Sequence, residues 1–77
     1  MKISVLTFGQ VTDIIRQSSF EMSDVADVNG LKQMLEEKYD GLKEIKYAIA
    51  VDKKIVNGNT ALQDKSVVAL LPPFSGG

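Results

Sequence analysis

No cysteine and no histidine occur anywhere in this chain. Without cysteine there is no disulfide to staple a small fold and no thiolate site for a structural metal. Without histidine, the commonest general base and the commonest metal ligand are both missing. The Cys–His, Ser–His and zinc arrangements are therefore excluded. Charge of one sign is lacking too: nine Lys+Arg face ten Asp+Glu, and the isoelectric point is about 5.2. That balance leaves no electrostatic footprint for nucleic acid or an anionic membrane. No apolar run reaches the roughly 20 residues of a membrane span. Met1-Lys2-Ile3-Ser4 turns polar too soon for a secretory leader. The expectation is a cytoplasmic protein with no membrane or nucleic-acid partner.

What is present fits a folded domain. Hydrophobic residues make up 44% and charged residues 25%, which is a globular balance rather than a disordered one. At 77 residues the chain has room for one domain and one small core. Domains of this size bury only about 60% of their unfolded surface, so stability is expected to be modest.

Periodicity divides the chain into elements. Lys2 to Phe8 reads as a strand with Ile3, Val5 and Thr7 on one face and Leu6 and Phe8 on the other. A strand apolar on both faces is central or covered twice. Val11, Ile14 and Ile15 predict a short helix over Gln10 to Arg16, and Phe20 and Met22 a second strand over Ser19 to Ser23. Asp27 is positioned as an N-cap for the main helix, whose apolar stripe is Val28, Leu31, Met34, Leu35 and Tyr39 and whose end is marked by Gly41. Ile45, Tyr47, Ile49 and Val51 alternate with Lys46, Ala48, Ala50 and Asp52 as a third strand. A turn at Asp52-Lys53-Lys54, a short edge at Ile55-Val56, a turn at Leu62 to Lys65 and an apolar strand over Ser66 to Leu71 complete the order. A hairpin, a helix across it and further strands make an α+β layout with one helix on one sheet face. Residues 1–71 are read as the domain and 72–77 as a flexible tail.

The catalytic inventory is thin. Glu36, Glu37 and Asp40 fall on the polar side of the main helix, and Lys53 and Lys54 in a turn, where solvation is the plain reading. No glycine-rich loop opens a helix, so there is no nucleotide fingerprint. Intrinsic enzyme activity and a tightly bound cofactor are not expected.

The tail is the feature that scaffolding does not explain. Proline occurs twice, side by side at Pro72-Pro73, and is followed by Phe74, Ser75, Gly76 and Gly77. Prolines lack the N–H that a ladder needs and fix φ, so the sheet stops and the path continues extended. Six residues at about 3.1 Å each reach roughly 18 Å. Stiff prolines reduce the entropy lost on threading into a partner, and glycines pass narrow channels and adopt angles closed to other residues. A terminal carboxylate is a poor electrophile until it is activated. The plain alternative is a frayed end after a stopped strand.

Leu70-Leu71-Pro72-Pro73-Phe74-Ser75-Gly76-Gly77 resembles the C-terminus of the molybdopterin synthase small subunit, the MoaD family. The likeness continues through Leu62, Asp64 and Val67, Ala48 to Val51, Val28 and Leu31, and Ile3 to Gln10. Lys65-Ser66 and Asp52 depart from it, standing where the family often has Gly-Asp and Asn. The resemblance implies a ubiquitin-like β-grasp fold: a mixed sheet on one main helix with an extended C-terminal tail. It implies that an ATP-dependent activating enzyme adenylates the Gly77 carboxylate and that a sulfur donor system converts it to a thiocarboxylate. Residues Pro72, Pro73, Phe74, Ser75, Gly76 and Gly77 would insert into the large subunit of the synthase. Sulfur would then pass to cyclic pyranopterin monophosphate, in a complex of two small and two large subunits. Phe8, Ile55 and Leu71 are the expected docking residues, with burial in the core as the alternative for all three.

Three other readings stay open. A sulfur carrier for thiamin thiazole synthesis would use the same end chemistry. A ubiquitin-like modifier would join Gly77 to lysines of other proteins. An inert-tailed β-grasp module would bind a partner and transfer nothing.

Overall fold

The two-faced apolar pattern of the first segment places it inside a sheet. The computed structural model describes residues 1–72. In it Lys2–Thr7 forms β1, bonded on both sides. Ser19–Ser23 (β2) pairs antiparallel with β1, with Val5 opposite Phe20. Between them Gln10–Ile15 (α1) is one residue shorter than the spacing predicts, because Arg16 turns left-handed at φ 67° and returns its N–H to Thr12. The buried Thr7 hydroxyl fastens this crossing: it donates to the Gln17 carbonyl and bonds with the Thr12 hydroxyl at 2.9 Å.

Val28–Lys38 forms α2. Asp27 caps it as expected, one carboxylate oxygen accepting the Gly30 N–H at 2.8 Å. The helix ends earlier than the Gly41 signal suggested. Tyr39 leaves the helix with φ −121° while its N–H still reaches the Leu35 carbonyl. Asp40–Glu44 then coils as a short 3₁₀ turn that sends Leu42 fully into the core. The apolar stripe also narrows: Val28, Leu31 and Leu35 are buried, but Met34 lies on the flank and is exposed.

Ala48–Val51 (β3) and Lys54–Val56 (β4) form a hairpin, and Val67–Leu71 (β5) runs between β3 and β1. The sheet order is β2-β1-β5-β3-β4, with β1 and β5 parallel and the other pairs antiparallel. The third strand is shorter than its alternation predicts. Its last partner is Leu71 opposite Ala48, and the next residue, Pro72, has no N–H to extend the ladder past it. Ile45 and Tyr47 therefore pack against the core from outside the strand. Similarly Ser66 stays outside β5, because the Asp52 carboxylate takes the Val67 N–H at 3.0 Å.

The core lies between α2 and one sheet face. Ile3, Val5, Ile49, Val68 and Leu70 from the strands meet Val28, Leu31 and Leu35 from α2 and Leu42 from the 3₁₀ turn. Burying a side chain of this kind contributes about 1.5–3 kcal/mol, so this cluster is what keeps so small a domain folded. Among the described residues, no helix is long and apolar enough to cross a membrane.

Candidate functional site

β5 is the middle strand of five and carries the chain straight out of the sheet. Leu70 is fully buried, Leu71 half-buried and Pro72 exposed. The root of the tail is thus clamped by ladders on both sides. Its last β1 contact is the Phe8 N–H bonded to the Leu70 carbonyl at 3.1 Å. Gly9 follows at φ 57°, a conformation that L side chains rarely adopt. A Cβ on Gly9 would lie 3.2 Å from Cγ of Pro72, so the glycine also clears the proline ring.

The face of the sheet opposite α2 carries an apolar patch as well, bounded at β2 by Ser19 and Glu21. Register places Leu6, Ala69, Ala50 and Ile55 in one row across β1, β5, β3 and β4. Leu71 and Ala48 begin a second row beside the tail root, and the continued β1–β5 pairing puts Phe8 next to Leu71. Phe8 is 45% exposed, Ile55 47% and Val67 39%. The expected docking residues therefore lie on one solvent-facing side: Phe8 and Ile55 open, Leu71 half-covered at the root. Sequence reasoning placed Leu6 with Phe8 on one strand face but did not name Ala48, Ala50, Val67 or Ala69 for it. Their period-2 spacing was visible, but only strand order and register bring them together.

Charged and polar chemistry is sparse around the tail root. Among the described residues no group of carboxylates could hold a metal ion. Two groups elsewhere have shifted titration. Burial, then the hydrogen bond to Glu36, pushes the Tyr47 phenol well above its usual range. Hydrogen bonds from Gly30 and Asn59 hold the Asp27 carboxyl below its usual value. Glu36 is thus a half-buried hydrogen-bond acceptor rather than the freely solvated charge expected of it. Neither group lies at the tail. What this site offers chemically is a rigid base, an apolar surface and a chain end.

A family model described as the ThiS family matches residues 5–77, which includes the tail. The chain belongs to the ThiS family. It is a ThiS/MoaD-type sulfur-carrier domain with the ubiquitin-like β-grasp fold. Among solved structures, a chain of the protein–protein complex of subunits 1 and 2 of molybdopterin-converting factor from Helicobacter pylori is 31% identical. That match covers 100% of each chain at a TM-score of 0.72. A putative molybdopterin converting factor, subunit 1, from Pyrococcus furiosus is 22% identical over 95% of this chain and 98% of that one, with a TM-score of 0.85. The small archaeal modifier protein 1 from Methanosarcina acetivorans is 20% identical over 99% and 96%, with a TM-score of 0.82. At these last two identities the likeness is one of fold.

For a ThiS-family chain the tail is the segment of greatest interest. Pro72 is placed as described above. Pro73, Phe74, Ser75, Gly76 and Gly77, named from the sequence for insertion and activation, lie outside the described residues. The two departures from the MoaD pattern both fall on left-handed backbone: Asp52 at φ 48° and Lys65 at φ 70°. Asn and Gly tolerate that region better, which is the physical reason those types suit these turns.

Proposed function

We propose that this ThiS-family chain is the sulfur-carrying small subunit of a molybdopterin-synthase-type complex. The observation that carries the reading is the family match running through Gly77, on a strand that Pro72 releases from the centre of the sheet. The full-length 31% likeness to a chain of a two-subunit molybdopterin-converting factor favours this branch over thiazole synthesis.

The chemistry resides at the chain end. An oxygen of the Gly77 carboxylate attacks the α-phosphorus of ATP on an activating enzyme, and pyrophosphate leaves. A sulfide equivalent from the donor system then attacks the acyl carbon, and AMP leaves, so a C–O bond becomes a C–S bond. The domain docks on the large subunit through the face bearing Phe8, Ile55 and Leu71. The prolines aim the thiocarboxylate into the partner's active site, where its sulfur bonds to a carbon of cyclic pyranopterin monophosphate and displaces an oxygen from that carbon. Water then hydrolyses the acyl–sulfur bond, which leaves the sulfur on the pterin and restores the carboxylate. The carrier needs no cysteine, histidine or resident cofactor, because acid–base groups and phosphate sites belong to its partners. ATP is consumed by the activating enzyme.

The test is transfer. The thiocarboxylated chain, mixed with a large subunit and the pterin precursor, is expected to yield molybdopterin. A chain lacking Gly76-Gly77 is expected to yield none. Transfer to a thiazole precursor instead would assign it to thiamin synthesis. Isopeptide adducts on lysines in cell extracts would assign it to the modifiers, and undiminished biological activity of the truncated chain to the inert modules.

A further inference from the structure

A groove of about 370 Å³ opens at the β4 edge of the sheet, between that edge and the N-terminal half of α2. Val28, Ile49 and Val56 give its floor a narrow apolar strip. Lys32, Tyr47, Ile55 and the polar Asn29 and Asn57 also line it. Lys32 Nζ stands 5.7 Å from the centre of the Tyr47 ring. Glu36, one helical turn on from Lys32, is its natural ion-pair partner. Glu36 is instead engaged by the Tyr47 hydroxyl, which donates to it at 2.7 Å. Among the described residues the ion pair within 4 Å is Lys2 with Glu21, so Lys32 forms no salt bridge there. The groove therefore carries a positive charge near a ring face, beside a narrow apolar strip.

The adjoining edge is open. Asp52 and Lys53 both have positive φ, as a two-residue hairpin turn requires, which makes Val51 and Lys54 the closing hydrogen-bonded pair. Alternation then directs the Ile55 N–H and C=O away from β3, toward the free edge. An apolar strip, one cation outside any salt bridge and one free backbone donor–acceptor pair define a complementary strand.

We propose that this groove is a protein-docking site whose occupant is an extended segment of a partner protein. That segment carries a large aliphatic side chain and, two positions along, a carboxylate. Residues two apart share one face of a strand, so the aliphatic group enters the groove while the carboxylate meets Lys32. The backbone between them pairs with Ile55. None of these groups lies in the tail; the site shares only its edge residue, Ile55, with the face proposed to dock the large subunit, and its Lys32 contact is independent of the sulfur chemistry.

The experiment is an amide-shift titration of the ¹⁵N-labelled full chain with two capped peptides, Ser-Leu-Ser-Asp-Ser and Ser-Leu-Ser-Asn-Ser. The aspartate peptide is expected to give saturable shifts at Lys32, Ile55 and Val56, with a dissociation constant on the order of 1 mM. The asparagine peptide is expected to bind about tenfold more weakly, as is the aspartate peptide with the Lys32→Glu variant. Lys32 is exposed, so this variant keeps the fold. Shifts confined to Phe8, Val67 and Leu71, equal binding by both peptides, or equal binding by Lys32→Glu would overturn the proposal. So would the same shifts produced by acetate alone, or by raising the concentration of the chain without peptide.

Discussion

If the outward sheet face docks the large subunit, Phe8→Ala is expected to weaken docking while leaving the fold in place. The side chain is 45% exposed and lies beside Leu71 at the tail root. A phenylalanine buries about 150–250 Å² when fully enclosed, so close to 90 Å² remains for a partner to cover. At about 25 cal/mol per Å² that area corresponds to roughly 2 kcal/mol of binding, or about 30-fold in dissociation constant. Desolvated central anchors exceed such area values and rim residues fall below them, so this figure is an order-of-magnitude expectation. The assay is calorimetric titration of the folded variant into a large subunit at 25 °C, with circular dichroism to confirm the fold. A dissociation constant within about threefold of the parent chain would refute the reasoning and remove the outward sheet face from the docking account.

Three further expectations follow from particular residues. Adding one residue after Gly77, or placing a bulky side chain at Gly76, is expected to abolish thiocarboxylate formation while leaving the melting temperature unchanged; full activity of an extended, unprocessed chain would contradict the role of the free carboxylate. Lys65 at φ 70° sits in a region that costs an L residue about 1–2 kcal/mol, partly offset by the entropy glycine loses on folding, so Lys65→Gly is expected to raise stability by about 0.5–1 kcal/mol in urea melts. The Asp27 carboxyl is held below its unfolded value of 3.8 by the Gly30 and Asn59 hydrogen bonds, so its contribution is present above that pH and is lost as pH falls through the lower, folded value; Asp27→Asn is expected to flatten this part of the acid limb of a stability–pH profile, and an unchanged acid limb would count against the cap.

Much of the fold could be read from residue order. The element sequence, the Asp27 cap, the two-faced apolar first strand and the apolar last strand all reappear in the structure. What escaped was set by tertiary partners. Ile45 and Tyr47 alternate like strand residues, but β3 begins only at Ala48, opposite Leu71 and just short of Pro72. Gly41 looks like a helix stop, but Tyr39 breaks first and the 3₁₀ turn buries Leu42. Met34 has helical spacing but falls on the flank of α2 rather than in its stripe. At the site, Phe8 and Ile55 could be picked from local pattern and likeness. Ala50, Val67 and Ala69 could not, because no local signal says that β5 lies between β1 and β3.

The central claim is that Gly77 carries sulfur, and intact mass spectrometry tests it most directly. The chain would be incubated with ATP, a molybdopterin-type activating enzyme and a sulfide source, with a control carrier in parallel. The account predicts a mass gain equal to the exchange of one oxygen for sulfur, mapped by fragmentation to Gly77. An unchanged mass beside a converted control would contradict it.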